Sequence, residues 1–227
     1  MKDISRATRG ASNRLPQAAA AVAARPALIL LLFILTAVLA GCSPLSLVNT
    51  IAPDDGFAIE RGIPYGPEER QKLDVYYPEV GDVQAPVVVF FYGGSWRRGD
   101  RAKYRFVGQA LSSRGYVTVI PDYRLYPDVR FPVFVEDGAA SVAWVKEHLS
   151  QSKNGIILIG HSAGAHLAAL LALDERYLSG KGVADTTISG MIGLAGPYAF
   201  EPENFRRFRP IFATAQPADI SQPLSYA

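Results

Sequence analysis

The segment GIILIGHSAGAHLAALLAL, residues 155–173, changes character at a single serine. Residues 155–160 are apolar, as in a strand buried on both faces of a sheet, whereas the residues after the serine are rich in Ala and Leu and favour a helix. Ser162 therefore lies at a strand-to-helix turn, with Gly160 and Gly164 two residues away on either side. This arrangement is typical of a turn that exposes a nucleophilic serine, because small residues there relieve the clash between strand and helix. The alternative is a tight turn in which the serine only caps the helix.

A second glycine-containing loop lies in FFYGGSW, residues 90–96, at the end of another apolar run. Glycine lets backbone N–H groups approach a substrate oxygen closely, as an oxyanion hole requires. The first turn of the helix after Ser162 adds N–H groups that favour negative charge at the same place. The alternative is an ordinary glycine-rich turn.

Beyond residue 56, apolar runs alternate with segments of helical length. The runs predict strands at residues 72–78, 86–92, 115–123, 155–160 and 188–196. Between them, the sequence predicts a helix that Asp100 caps and that ends before Gly115, a helix that begins near Pro132, and a helix after Ser162. Such alternation implies right-handed crossovers and a mostly parallel, doubly wound α/β sheet.

The distribution of charge argues against a nucleic-acid-binding protein. The 227 residues carry 23 basic and 21 acidic side chains, but five of the basic ones and one acidic one, Asp3, precede residue 42, which leaves 18 basic and 20 acidic residues. A nucleic-acid surface needs a clustered basic face, and the densest cluster, NFRRFRP at 204–210, is typical of a solvated helix or loop. No G-x-G-x-x-G pattern follows a candidate strand and no cluster has metal-ligand spacing, so neither an organic cofactor nor a metal is implied.

The first 42 residues predict export. A basic segment ends at Arg25, and the apolar stretch at residues 27–41 has the length of a signal-peptide core and is short for a membrane span. Cys42, the only cysteine of the sequence, follows directly, and residues 39–42 resemble a bacterial lipobox, in which the cysteine is lipidated. We expect a signal peptide over 1–41, a tether over 42–56 and a folded domain over 57–227.

Acyl chains on Cys42 would attach the protein to a membrane of the bacterial cell envelope. Ser43 after the cysteine favours the outer membrane, with the protein on its periplasmic face. The alternative is an uncleaved signal anchor that happens to end in a cysteine.

Several ordered motifs together resemble one enzyme family. YGGSW at 92–96, PDYRLYP at 121–127, residues 131–145 and the Ser162 segment look like the bacterial esterase/lipase branch of the α/β-hydrolases, akin to hormone-sensitive lipase. The resemblance covers about residues 60–227. It implies that Ser162 is the nucleophile and that the amides of Gly94, Ser95 and Ala163 are the oxyanion donors.

The same resemblance assigns structural roles near the site. Asp122, Tyr123 and Arg124 look like the family's structural loop after a central strand, and Asp137 looks like a scaffold residue. Tyr92 stands where the family usually has histidine, a departure that concerns the hydrogen bonds orienting the loop more than the chemistry.

A reactive serine also needs a histidine base and a carboxylate that orients it, in the chain order Ser, Asp or Glu, His. His148 is predicted on the preceding helix at the opposite end of the sheet, and His161 is too close to Ser162 in the chain. His166 is expected to pack against or hydrogen-bond the YGGSW loop. None of the acidic residues after the serine is expected to be the triad acid: Asp174, Glu175, Asp185, Glu201, Glu203 and Asp219.

By the resemblance, the triad acid and histidine belong to strand units beyond residue 227, so the domain is expected to lack its C-terminal part. The strand at 188–196 is then expected to form an unpaired edge. Three explanations stay open: an incomplete reading frame, a degenerate hydrolase that binds a ligand without turnover, and a chain completed by a separate polypeptide.

The function that the sequence favours is a serine hydrolase of the carboxylesterase type, which cleaves small carboxylic esters through an acyl-enzyme. Its other predicted partner is a membrane, reached through the lipid anchor. A peptidase or acyltransferase of the same fold is the nearest rival among enzymes. A non-catalytic, hydrolase-fold binding protein of the envelope is the rival from another class.

Overall fold

The computed structural model describes residues 44–81, 85–149 and 154–227. Cys42 and the predicted signal peptide at 1–41 lie outside these residues, so their assignments stay predictions. Residues 48–227 form one compact unit. Within the described ranges, no helix combines the length and the apolar character needed to cross a membrane.

A six-stranded mixed sheet lies at the centre of this unit, in the order β1-β2-β4-β3-β5-β6. β1 pairs antiparallel with β2 and β2 pairs antiparallel with β4, whereas β4, β3, β5 and β6 run parallel. The mostly parallel α/β sheet predicted from the sequence is confirmed. The strands are β1 Phe57–Pro64, β2 Lys72–Pro78, β3 Val87–Phe91, β4 Thr118–Pro121, β5 Ile156–His161 and β6 Ile188–Leu194.

The described helices begin close to the predicted positions. The 3₁₀ turn Arg101–Tyr104 precedes α2, and Asp100 caps it by accepting a 2.8 Å hydrogen bond from the Ala102 N–H. α3 begins one residue after Pro132, and α4 begins directly after Ser162. The helices are α1 Pro44–Ile51, α2 Arg105–Ser112, α3 Val133–Leu149, α4 Ala163–Leu173 and α5 Glu175–Ser179.

Close packing of α3 and α4 fixes the helix that follows the serine. Residues 163–171 of α4 are all buried, as is every residue of β3. Gly138 of α3 lies so close to α4 that a Cβ atom there would stand 2.7 Å from Leu167 Cδ2. The start of α4 is therefore held between the sheet and α3, where it has little freedom to shift.

Three features of the sheet differ from the prediction. β4 covers only Thr118–Pro121 of the predicted residues 115–123, and Gly115 has φ +93°, outside the extended conformation. The sequence did not predict β1, because this edge strand has no fully buried residue and its register shifts between Glu60 and Ile63, which obscures the alternation. β6 ends at Leu194 rather than at residue 196, because Ala195 adopts φ +53° and leaves the extended conformation.

β6 is the last strand of the sheet, as the sequence predicted. Among the described residues it pairs only with β5, so its other edge is open. Ile192 and Leu194 on this strand are 50% and 48% exposed.

The predicted tether, residues 42–56, includes all of α1 and the turn after it. The Asn49 side chain donates to the Ala102 carbonyl at 2.8 Å and accepts from the Phe106 N–H at 3.0 Å. Arg105 donates to the carbonyls of Asn49, Ala52 and Pro53. Residues 49–53 are thus bound to the start of α2, while the domain boundary at residue 56 stays a prediction.

Candidate active site

Ser162 occupies a strained turn between β5 and α4. Its backbone has φ +52° and ψ −117°, a conformation that non-glycine residues rarely adopt. Such strain costs on the order of 1–3 kcal/mol and persists only where the surroundings enforce it. The side chain is half-buried, and the backbone N–H donates to the Leu194 carbonyl at 2.8 Å, which ties the turn to the end of β6.

The two glycines of the motif have the steric role predicted for them. A Cβ atom on Gly160 would lie 2.3 Å from the Gly164 carbonyl oxygen and 2.5 Å from Ala165 Cα. A Cβ atom on Gly164 would lie 2.1 Å from the Phe91 carbonyl oxygen and 2.5 Å from that of Tyr92. Side chains at either position would force the helix away from the sheet.

The glycine-containing loop that follows β3 lies directly against the serine. A Cβ atom on Gly93 would stand 3.1 Å from Ser162 Cβ and 2.8 Å from His161 Nδ1. The next residues are also strained, because Ser95 and Trp96 have φ +57° and +56°. The structure therefore brings together the two segments that the sequence singled out, with Gly93 as the point of contact.

The three predicted oxyanion donors flank this contact. Gly94 has φ +150°, and its carbonyl accepts from the N–H groups of Arg97 and Arg98, both at 3.2 Å. Ser95 follows in the same turn. Ala163 is the first residue of α4, so its N–H belongs to the first turn, whose donors have no partner within the helix.

The structure places the three histidines as the sequence predicted. His148 is exposed near the end of α3, where its ring stacks on Trp144. His161 is exposed beside the serine. His166 is fully buried and meets the Trp96 ring edge-on, at 5.2 Å between ring centres. None of the described side chains forms a hydrogen bond with the Ser162 hydroxyl, so a triad base and acid are not found among them.

His166 is held neutral by its surroundings. Its Nε2 lies 2.6 Å from the Ser221 carbonyl oxygen, so Nε2 carries the proton and donates, while Nδ1 has no partner among the described residues. Burial lowers the pKa of His166 to about 4, although the contact with Ser221 acts in the opposite direction. This residue therefore contacts both the segment around Ser221 and Trp96 of the loop.

Protonation of His166 should weaken the fold in acid. Between the lowered pKa of about 4 and the ordinary value near 6.5, the unfolded chain binds a proton that the folded chain does not. We expect the free energy of unfolding to fall by about 3 kcal/mol as the pH drops through this range. Denaturant titrations between pH 4 and 7 measure this slope. His166→Gln should lose this part of the slope, whereas His148→Gln should keep it; equal slopes in wild type and His166→Gln would contradict the assignment.

Tyr92, the departure from the family pattern, is fixed at both its ends. Its hydroxyl donates to Asp122 Oδ1 at 2.6 Å and accepts from Arg70 at 2.9 Å. Its backbone carbonyl accepts from the Tyr123 hydroxyl at 2.7 Å. Burial raises the pKa of the Tyr92 hydroxyl well above its ordinary value, so it stays a neutral donor. The tyrosine thus anchors the loop that follows it.

The residues expected to be structural form two buried ion-pair networks. Asp122 pairs with Arg101, accepts the Arg101 backbone N–H at 2.9 Å and lies 3.7 Å from Arg70. Asp137 pairs with Arg124 at 2.7 Å and accepts from Gln71 at 2.8 Å. The Asp122 network also holds Tyr92, from which the Gly93 loop continues.

The segment after β6 covers Trp96 with aromatic rings, which the sequence reasoning missed. Phe200 stacks on Trp96 at 5.9 Å between ring centres, and Phe208 and Phe212 meet it edge-on at 5.7 and 4.9 Å. The recurrence of Phe at intervals of three to five residues between 200 and 212 is the signal that could have indicated a buried face.

Acidic residues after the serine take other positions. Asp174 caps α5 and pairs with Arg176 at 2.6 Å. Glu201 and Glu203 are exposed. In the described part of the chain, no group of three or more His, Cys, Asp or Glu residues could hold a metal ion.

The sequence is similar to that of a known protein family and of several characterised proteins. The BD-FAE family model matches residues 73–206, more than half of the chain. An isoprenylcysteine alpha-carbonyl methylesterase of Arabidopsis thaliana is 35% identical over 147 residues, which are 62% of this chain and 34% of the relative. A kynurenine formamidase of Danio rerio is 37% identical over 141 residues, 62% of this chain and 46% of the relative.

The fold has solved counterparts. Esterase B from Lactobacillus rhamnosis superposes with a TM-score of 0.69 at 23% identity, covering 91% of this chain and 71% of that structure. The chain thus spans a third to a half of the curated relatives and about seven-tenths of this structure.

Proposed function

This chain belongs to the BD-FAE family of α/β-hydrolase esterases, and we propose that it is a serine hydrolase of the carboxylesterase type. The observation that carries the proposal is the position of Ser162, which a strained strand-to-helix turn holds against the Gly93 loop. A second support is that relatives over 30% identical are named as an esterase of a methyl ester and as a formamidase.

In the proposed mechanism, the Ser162 hydroxyl oxygen attacks the ester carbonyl and its proton passes to a base. The amides of Gly94, Ser95 and Ala163 stabilise the oxyanion of the tetrahedral intermediate, where loss of one donor costs about 3–4 kcal/mol in other hydrolases. The alcohol leaves with a proton, and water then hydrolyses the acyl-enzyme. We assign the base and its carboxylate partner to groups outside the described residues.

We further propose that the protein is exported and lipid-anchored through Cys42 in the bacterial cell envelope. The support is the sequence alone, in which a basic segment and an apolar core run directly into the single cysteine. Labelling of the intact chain with a radioactive fatty acid in an expressing bacterium tests this, and Cys42→Ala should remove the label.

Hydrolysis of a matched pair of substrates separates the proposed activity from its rivals. We expect the purified full chain to release 4-nitrophenolate from the activated ester 4-nitrophenyl butyrate, slowly because no described group serves as the base, and to leave the corresponding 4-nitroanilide intact. Preferential cleavage of the anilide would indicate an amidase or peptidase. A folded chain that cleaves neither would favour the non-catalytic binding protein.

A further inference from the structure

Five arginines from three separate segments converge beside the candidate active site. One lies just after the Gly94 turn, one lies in the loop between β4 and α3, and three lie in the segment after β6. All are exposed or half-buried; we call this set the arginine surface: Arg97, Arg130, Arg206, Arg207 and Arg209.

Contacts around one tyrosine hold the three segments together. The Arg97 guanidinium lies 4.3 Å from the centre of the Tyr126 ring, and the Arg130 guanidinium lies 5.6 Å from the same centre. Arg97 also donates to the Arg207 carbonyl at 2.6 Å, and Arg130 donates to the Pro210 carbonyl at 2.8 Å. Arg97 and Arg130 are therefore placed by an aromatic ring and by backbone oxygens of the segment after β6.

Carboxylates do not neutralise this surface. Among the described residues, none of the five arginines forms a salt bridge, although Arg70, Arg101, Arg105, Arg124 and Arg176 all do. The buried Nε–H of Arg97 has no acceptor within that part of the chain. Three exposed carboxylates lie nearby in sequence, Asp128, Glu201 and Glu203, so positive charge remains in excess.

The arginine surface begins where the candidate oxyanion loop ends. The Arg97 backbone N–H donates to the Gly94 carbonyl at 3.2 Å. Gly93, the residue before Gly94, lies against Ser162. Phe208, between Arg207 and Arg209, packs edge-on against Trp96. The arginine surface therefore adjoins the loop that carries two of the candidate oxyanion donors.

We propose that the arginine surface binds an anionic group, a carboxylate or a phosphate, carried by the ester substrate. This rests on the proposed function and names the class of its substrate. Guanidinium groups suit the task because their planar donors match the oxygens of either anion in pairs. The sequence pattern at 204–210 predicted only a solvated face; the convergence of Arg97 and Arg130 on it becomes visible in the fold.

Equilibrium binding of small probes to the full chain in detergent tests the inference without turnover. Isothermal titration calorimetry compares phenylphosphonate and benzoate with neutral benzamide. We expect at least one anion to bind more tightly than benzamide, and the preferred anion identifies the group. Arg206→Gln/Arg207→Gln should weaken that binding about tenfold or more. Arg61→Gln/Arg114→Gln removes the same charge from exposed positions on β1 and after α2, and should stay within about twofold of wild type.

Lysines at positions 206 and 207 show whether the anion affinity depends on the positive charge or on the packing of the side chains. Arg206→Lys/Arg207→Lys should recover most of the affinity that the glutamine pair loses. Equal affinity in wild type and the glutamine pair, or no preference for either anion over benzamide, would overturn the inference. Ser162→Ala should bind the anion like wild type, because the probes carry no ester. Anion binding without ester hydrolysis would therefore support the anion site and refute the enzymatic function.

Discussion

Replacing Asp122 by alanine is expected to lower the free energy of unfolding by about 3–5 kcal/mol, because the substitution removes a buried carboxylate that pairs with Arg101 and leaves the Tyr92 hydroxyl without its acceptor. Asp122 is 3% exposed and accepts from the Tyr92 hydroxyl, the Arg101 backbone and the Arg101 guanidinium. Its removal also frees Tyr92, from which the Gly93 loop continues. Loss of this one carboxylate should therefore disturb both stability and the site.

Urea unfolding monitored by circular dichroism measures the effect of Asp122→Ala. Asp128→Ala provides the control, since Asp128 is exposed in the loop that follows and should change stability by less than about 0.5 kcal/mol. Asp122→Asn keeps an acceptor for Tyr92 and should fall between wild type and the alanine variant. A loss below about 1 kcal/mol in Asp122→Ala would mean that the network contributes little.

Replacing Gly164 by alanine is expected to destabilise the protein by about 3 kcal/mol, at the upper end of the usual cost of overpacking. The added methyl carbon would lie 2.1 and 2.5 Å from the carbonyl oxygens of Phe91 and Tyr92. Both neighbours are backbone atoms at the end of β3, so no side chain can rotate away. Either α4 or the start of the Gly93 loop must move, and the turn at Ser162 lies between them.

Gly190→Ala is the matched control for Gly164→Ala, because a Cβ atom on Gly190 of β6 meets no atom within 4 Å. Thermal unfolding should show a much lower melting temperature for Gly164→Ala and a nearly unchanged one for Gly190→Ala. Similar melting temperatures for the two variants would show that the elbow tolerates a side chain and would remove the steric reason for the motif.

The elbow could be predicted from sequence because its signals are local. An apolar strand, a serine between two glycines and an Ala/Leu-rich helix occupy consecutive residues, and each limits what the next can do. The parallel sheet could be predicted for the same reason, because the sequences of β3 and β5 are continuous apolar runs. Edge strand β1 was missed because its exposure and its register shift leave no such run.

The surroundings of the serine depend on contacts between distant segments. The pairing of Tyr92 with Asp122 joins residues 30 positions apart, and that of His166 with Ser221 joins residues 55 positions apart. The aromatic rings over Trp96 come from a segment about 100 residues later in the chain. A single sequence shows these residue types but does not show which of them meet.

Covalent labelling at Ser162 tests the central claim most directly, namely that the strained turn against the Gly93 loop presents a reactive hydroxyl. The purified full chain is treated with a fluorophosphonate probe, and the modified peptide is identified by mass spectrometry. We predict one labelled site, Ser162, and no label in Ser162→Ala. A wild-type chain that is folded by circular dichroism and stays unlabelled, or that carries the probe at another residue, would contradict it.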